Sequence, residues 1–361
     1  MANVKISELP AASAAVAANE FEINEAGTSK KVTGTQVAAF VEGVVSSAPS
    51  FTGQVSLADG SAAAPSLSNT GDLNTGLLFP AADTVGVSVG GTQRLTVGTS
   101  GVTVNGDLAT TTSGTSNFVA GVNAGNSITS GGNYNVTVGD EAGTALTVGG
   151  SNTAVGFDSL KADTKGSHSV AVGVGALYAQ NFTSATDAYN VAVGRSAGVA
   201  VTTGVRNTLI GGLSGAAMTT GDRNVAVGAT SLDACTTGQY NVAVGNDALT
   251  TLTSGARNTA VGLQAGAAIT TGSGNSFFGS DSGDATTTGS NNTAVGYNAL
   301  TANTTAGSNC ALGAYALTAN TTGTSNCAVG SSLVTNTTGT KNTSVGNNAL
   351  YYNTTGYDNN A

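Results

Sequence analysis

The chain has 361 residues, of which 52 are glycine and only 9% are charged, and its formal net charge is −9. Long aliphatic side chains are scarce and tryptophan is absent, which excludes a conventional thick hydrophobic core and favours thin layers stacked many times. No stripe of lysine and arginine could neutralise phosphates, so nucleic-acid binding is excluded. No run approaches the ~18–20 apolar residues of a membrane helix, and no secretory signal is recognised, so we expect no membrane insertion.

Residues 1–50 are the least repetitive part and predict a small α+β unit. A polar stretch centred on Glu25, Ala26 and Gly27 predicts a β-hairpin. Apolar residues at helical spacing then predict an amphipathic helix over residues 35–45. The apolar stripe of this helix is formed by Val37, Phe40, Val41 and Val44. The stripe either packs on the hairpin or contacts sister chains or another protein.

Residues 51–116 are expected to form a small β module and a linker. Alternating apolar residues over 85–89 and 92–97 predict two strands. Gly90 and Gly91 lie between these strands and predict a two-residue hairpin turn.

Residues 117–361 are dominated by a repeat that begins N-x-A-V-G. Most copies start 17 residues apart, but the interval is 18 after the first copy, 21 after Ser169 and 16 after Asn326. The copies start at Asn117, Asn135, Asn152, Ser169, Asn190, Asn207, Asn224, Asn241, Asn258, Asn275, Asn292, Asn309, Asn326 and Asn342, with a partial copy at Asn359. Such a period predicts stacked units that cannot fold singly.

Within each copy we call the leading asparagine position zero. Positions one to three alternate as in a short strand, and position four is always glycine, which permits a positive φ or a close backbone approach. A Thr-Thr-Gly sequence, as at residues 219–221, marks a second corner. The repeat therefore predicts an all-β fold, a parallel β-roll or β-solenoid with one coil per copy. Coils about 4.8 Å apart would give a rod of roughly 65–70 Å.

Positions eight and eleven are expected to share one interior space. Where position eight is glycine, as at Gly215, position eleven is apolar, as at Met218. Where position eight is leucine, as at Leu300, position eleven is polar, as at Asn303. One large side chain then suffices, and two would overpack the coil. Three copies depart from this rule: Leu232 with Cys235, Leu249 with Leu252, and Gly283 with Thr286.

Position two is small in most copies, as at Ala154, Ala192 and Ala260. Small side chains suit a face that another layer approaches closely. A coil with one or two large residues also has little apolar core of its own. We therefore expect a homotrimer in which three chains bury the position-two face between them.

No constellation typical of catalysis, a metal site or a cofactor site is found, so we expect a non-enzymatic protein. The single histidine, His168, occupies a variable corner. Asp281 and Asp284 are the nearest carboxylate pair for polysaccharide hydrolysis, but they stand without aromatic sugar platforms. The three cysteines are interpreted as small buried apolar residues: Cys235, Cys310 and Cys327.

Two groups of residues are candidate contacts for a partner or receptor. Arg206, Arg223 and Arg257 occupy equivalent corners, with Tyr240 between the last two, and would form a stripe on stacked coils. The stripe is either such a contact or a solvated edge. The longer copy after Ser169 carries aromatic residues on a chain otherwise poor in them: Tyr178, Phe182 and Tyr189.

The N-x-A-V-G repeat, followed by A-L, resembles the head repeats of trimeric autotransporter adhesins, which form a left-handed parallel β-roll. Copies such as NTAVGYNALTANTTAGS, starting at Asn292, look more like repeats of phage tail-fibre proteins. The segments KISELPAA and NEFEINEAGTSKKVT are similar to the attachment segment of many phage fibres. The stretch APSLSNTGDLNTGLLF resembles a β module of phage fibre and appendage proteins.

This resemblance implies a structural virion protein, a tail fibre or capsid appendage joined by its N-terminus to a phage tail or capsid protein. It implies host adsorption through a cell-surface receptor or glycan, or a spacer for a receptor-binding tip. Two alternatives stay open, a bacterial surface adhesin head and an ice-binding solenoid with threonine ladders. Because residues 359–361 match the opening of another copy, we also expect the native chain to continue.

Overall fold

Every regular element in the described residues is a β-strand. The computed structural model describes residues 20–25, 28–33, 57–105 and 112–361. The predicted helix lies outside these residues, and with it Val37, Phe40, Val41 and Val44. Contacts divide the chain into two units, Met1–Asp107 and Leu108–Ala361.

The first unit contains two antiparallel sheets. Strands β1 (Glu20–Glu25) and β2 (Thr28–Thr33) form a two-stranded sheet. Strands β3 (Leu67–Asn69), β4 (Asp72–Leu78), β5 (Val85–Val89), β6 (Thr92–Gly98) and β7 (Gly101–Val104) form a five-stranded meander. The turn between β5 and β6 has a φ of +61° at Gly90 and +76° at Gly91. Positive φ at both residues is what the predicted two-residue turn requires.

The second unit is a β-solenoid. Its strands are β8 (Phe118–Ala120), β9 (Val136–Val138), β10 (Thr153–Val155), β11 (Gly166–Ser167), β12 (Val170–Val172), β13 (Thr186–Asp187), β14 (Val191–Val193), β15 (Thr208–Ile210), β16 (Val225–Val227), β17 (Val242–Val244), β18 (Thr259–Val261), β19 (Ser276–Phe278), β20 (Thr293–Val295), β21 (Cys310–Leu312), β22 (Cys327–Val329) and β23 (Thr343–Val345). All except β11 and β13, which pair with each other, form one 14-stranded parallel sheet. The predicted fold class is therefore confirmed.

Each strand of this sheet is positions one to three of one repeat, so one coil corresponds to one copy. Residues at the same position pair in register, as Ala226 does with Ala243. The backbone N–H of Val225 donates to the carbonyl oxygen of Asn241 at 2.8 Å. After the last strand, Thr343 bridges in parallel to Asn360. The strand of each coil thus pairs with the strand of the next, which covers its hydrogen-bonding edge.

Position two faces the interior of the coil. Ala154, Ala192 and Ala260 are fully buried within the single chain, whereas positions one and three of the same strands point outward. The expectation that position two faces a sister chain is therefore wrong. The coil is narrow enough to enclose this small side chain itself, and strict strand alternation leaves the larger position-three residues outside.

Positions eight and eleven share interior space, as the sequence predicts. A Cβ atom added at Gly143 would lie 2.9 Å from Cδ1 of Leu146, the position-eleven residue of the same coil. Position two competes for the space as well. A Cβ at Gly283 would lie 2.6 Å from the ring of Phe277, and this large position-two residue explains why Thr286 can stay small in that copy.

The leading asparagines form a buried ladder. The side-chain amide of Asn275 donates to the carbonyl oxygen of Gly289 in its own coil at 2.9 Å. Its side-chain oxygen accepts the backbone N–H of Asn292 in the next coil at 3.0 Å. Both asparagines are fully buried, and each uses its amide to satisfy backbone groups at the corner of the coil.

The ladder changes where Ser169 replaces asparagine. There Gln180 enters the gap, donating to Ser169 Oγ at 3.0 Å and accepting from Asn190 Nδ2 at 2.8 Å. Gln180 also donates to Asp163 Oδ2 at 2.6 Å. Burial raises the pKa of Asp163, against the opposing effect of this hydrogen bond and of several backbone N–H donors. A buried polar network thus joins the third coil to the fifth.

Candidate functional site

The described residues contain no group of three or more histidine, cysteine, aspartate or glutamate side chains that could hold a metal ion. Nor does any helix of the described part have the length and apolarity needed to cross a membrane.

His168 faces Asp187, with Nδ1 and Oδ1 3.2 Å apart, and its ring stacks on the ring of Tyr189, with 5.0 Å between the ring centroids.

Asp281 and Asp284 have different environments. Asp284 Oδ1 is buried without a hydrogen-bond partner, and burial raises the pKa of this carboxyl, with a further contribution from the charge of Asp281. Asp281 instead accepts a hydrogen bond from Ser280 Oγ at 2.7 Å. Of the two, only Asp284 is therefore set in an environment that disfavours its charged form, and a perturbed carboxyl by itself does not make a catalytic site.

One corner residue per coil projects from the solenoid over six consecutive coils. We call these residues the corner row: His168, Tyr189, Arg206, Arg223, Tyr240 and Arg257. Each has a left-handed backbone, with φ between 50° and 62°. All six are exposed, because this conformation turns the side chain away from the buried asparagine that follows it.

Two of the three predicted arginines meet around a tyrosine in this row. The guanidinium carbons of Arg223 and Arg257 lie 5.3 and 5.7 Å from the ring centroid of Tyr240. Arg223 Nη1 also donates to the hydroxyl of Tyr240 at 3.2 Å. Arg206 occupies the same position one coil before Arg223. The arrangement presents planar cationic groups along one edge, and guanidinium groups are suited to binding carboxylate or phosphate groups.

The three aromatic residues of the longer copy do not form one exposed cluster. Phe182 is only 5% exposed, so its expected role as an outer contact is corrected. The inserted loop folds its ring back over Gly166, where an added Cβ would lie 2.8 Å from Cδ2 of Phe182. Tyr178 is exposed and lies 5.8 Å from the ammonium of Lys161, whereas Tyr189 belongs to the corner row.

Two rows of apolar side chains are exposed on the outside of the solenoid, although the sequence was not interpreted as placing them there. Position three contributes Val193, Ile210, Phe278, Val295, Leu312 and Val345. Position five contributes Val122, Phe157, Val174, Leu263 and Tyr297. We call these rows, which flank the position-four glycines, the outer apolar band. The sequence does indicate an apolar row at position three, because that position is apolar in every copy and lies on the opposite face of the strand from position two.

A threonine row runs along another corner. The hydroxyls of Thr202, Thr219 and Thr236 each donate to the carbonyl oxygen of the equivalent threonine in the next coil, at 3.1, 3.1 and 3.2 Å. The regular spacing fits the threonine ladder of the ice-binding alternative. The donor hydrogens, however, are used to hold the stack together.

The chain matches no protein-family model, and searches of curated proteins and of solved structures find no match to it. The class of protein defined by the geometry is a parallel β-solenoid of stacked 17-residue coils.

Proposed function

We propose that this protein is a structural, non-enzymatic fibre of a phage virion, with the solenoid acting as a spacer between the particle and a host surface. The observation that carries the proposal is the uninterrupted 14-stranded parallel sheet, whose register is kept from Phe118 to Val345. A continuous stack holds its two ends apart at a fixed distance, which is what a spacer needs.

The test of this proposal is labelling of virions with an antibody raised against the solenoid. We expect electron microscopy to show the label on virions. Its position would also show whether the protein is attached to the tail or to the capsid. Label confined to a bacterial surface would instead favour the adhesin alternative.

We further propose attachment through residues 1–50. Deleting these residues should leave a folded solenoid, seen by circular dichroism, that no longer joins the particle. Truncated chains that still assemble onto virions would contradict the assignment.

The homotrimer remains our proposal, now with the outer apolar band as the buried face. Exposed apolar rows of this length are typical of protein interfaces. Light scattering should give three times the subunit mass of 34.8 kDa. Placing aspartate at Ile210 and Phe278 should release monomers, whereas Thr305→Asp, at an exposed corner, should not. A stable monomer of the unaltered chain would overturn the proposal.

The corner row is the proposed receptor contact. The stacking of Arg223 and Arg257 on Tyr240 supports a glycan or an acidic surface group as the ligand. Particles carrying Tyr240→Ala should adsorb to host cells several-fold more slowly. Lys341→Ala, which removes a cation from an exposed corner far along the stack, serves as the control. If both variants adsorb at the same rate as the unaltered particle, the corner row is not the receptor contact.

A further inference from the structure

Cys310 and Cys327 are neighbours on the outer face of the solenoid. They are in-register partners on the adjacent parallel strands β21 and β22, both at position one. Both are partly exposed and free, in contrast to the expectation that all the cysteines are buried apolar residues. Cys310 and Cys327 lie 17 residues apart in the chain, and the one-repeat register turns that spacing into pairing on neighbouring strands.

The geometry of this pair is close to that of a disulfide. Neighbouring strands lie about 4.8 Å apart, which falls within the range of roughly 4.4–6.8 Å between the Cα atoms of bonded cysteines. In-register partners also project to the same side of the sheet. Burial raises the pKa of the Cys310 thiol, and the neighbouring Cys327 raises it further, so the two side chains sense each other across the strand pair.

We propose that Cys310 and Cys327 are a redox-responsive dithiol, which a small-molecule disulfide converts into an intrachain disulfide joining two successive coils. The thiolate of one cysteine attacks oxidised glutathione, which forms a mixed disulfide and releases one glutathione thiolate. The second cysteine thiolate attacks the protein sulfur of that mixed disulfide and releases the other glutathione. The two protein thiols lose two protons and two electrons, and the glutathione disulfide gains the electrons.

The bond is expected to be reversible. The Cβ atoms of in-register neighbours follow the strand spacing, so closing the bridge draws them together by about half an ångström or more. A disulfide that needs such an adjustment is reduced more readily than an unstrained one. The third cysteine, Cys235, has no part in this chemistry, because it is fully buried and burial raises the pKa of its thiol to about 11.

Mass spectrometry of the folded full-length protein tests the proposal. Trypsin cleaves at Arg257 and Lys341 but nowhere between them, so Cys310 and Cys327 lie on one peptide and Cys235 on another. After treatment with oxidised glutathione, unfolding and alkylation, the shared peptide should be lighter than the reduced, unalkylated peptide by about 2 Da and should carry no alkyl group. The Cys235 peptide should be fully alkylated, and dithiothreitol should reverse the change.

The control variant is Cys310→Val, which places at position one the residue found at Val242 and Val225. Without a second thiol, Cys327 should keep glutathione as a stable mixed disulfide. The proposal is overturned if the unaltered peptide carries two glutathiones, if two copies of it are cross-linked between chains, or if both thiols stay reduced while the free thiols of the unfolded chain react.

Discussion

Asn258 accepts two hydrogen bonds from Asn275 on one side-chain oxygen: from the backbone N–H at 3.0 Å and from the side-chain amide at 3.0 Å. The same pair of bonds recurs in several other coils, as from Asn292 to Asn275 and from Asn241 to Asn224. Removing a buried amide of this kind leaves its hydrogen-bond donors and acceptors unsatisfied inside the protein. This penalty is the main reason why the amide matters for stability.

Replacing Asn258 by alanine should therefore lower the free energy of unfolding by roughly 2–4 kcal/mol. The change leaves the backbone N–H of Asn275 and the carbonyl oxygen of Gly272 without their side-chain partners. Denaturant unfolding followed by circular dichroism measures the loss. The matched control is Asn246→Ala at an exposed position, which should shift stability by less than about 0.5 kcal/mol. Equal midpoints for the two variants would contradict the role of the ladder.

Two adjacent glycines should differ sharply in how much replacement by alanine destabilises the fold. Gly211, at position four, has a φ of +134°, and an added Cβ would lie 2.4 Å from the carbonyl oxygen of Gly228 in the next coil. Gly212 has open space around its Cα. We expect Gly211→Ala to cost at least about 2 kcal/mol and Gly212→Ala almost nothing. Thermal unfolding of the two variants side by side checks this, and similar melting temperatures would count against steric closure at position four.

The shared interior space predicts a compensating pair of substitutions. Phe277→Ala should cost about 3–5 kcal/mol by opening a cavity, and Gly283→Leu should also destabilise, because Phe277 occupies that volume. Together they recreate the interior of the following coil, where Ala294 accompanies Leu300. The double variant should therefore be more stable than the sum of the single effects implies. A double-mutant cycle that is additive would exclude the shared volume.

The buried Asp163 predicts a pH dependence of stability. Burial raises the pKa of this carboxyl in the folded state, so the protonated form is favoured there. Its contribution is fully present below the ordinary aspartate value and is lost as the pH rises through the raised value. Relative to Asp163→Asn, the unaltered protein should lose stability as the pH rises above the ordinary aspartate value of about 3.9, because the buried carboxyl is then driven to ionise. Denaturant unfolding at several pH values measures this, and a stability difference between the two proteins that stays constant with pH would contradict the prediction.

The sequence predicted the coil and its register because both follow from the period. A copy that repeats every 17 residues leaves few ways to pair Ala226 other than with Ala243. It also predicted the shared space behind Gly143 and Leu146, since the two residue types vary together. It did not predict which face of the strand is inside, because both faces are apolar. The small alanine was taken for an outer contact, although a narrow coil requires it within.

Residues outside the repeat were the hardest to place. Phe182 lies in an inserted segment whose path no periodicity constrains, and its burial over Gly166 could not be anticipated. The pairing of Cys310 with Cys327, by contrast, was available from the sequence as soon as the one-copy register was accepted. In the corner row, the equivalent repeat positions predicted that Arg223 and Arg257 would align. They did not predict that both guanidinium groups would stack on the ring of Tyr240.

The direction of the backbone hydrogen bonds has a mechanical consequence. In the 14-stranded sheet these bonds run along the stacking axis, so a pull along that axis loads them directly, and a terminal coil detaches first. A released coil of 17 residues extends to roughly 55–60 Å, against a stacked rise of about 4.8 Å. The solenoid would therefore lengthen by roughly 50 Å per coil, and by more at the longer copy after Ser169. A stretched solenoid would therefore lengthen stepwise, one coil at a time, and each step would dissipate part of the applied mechanical energy.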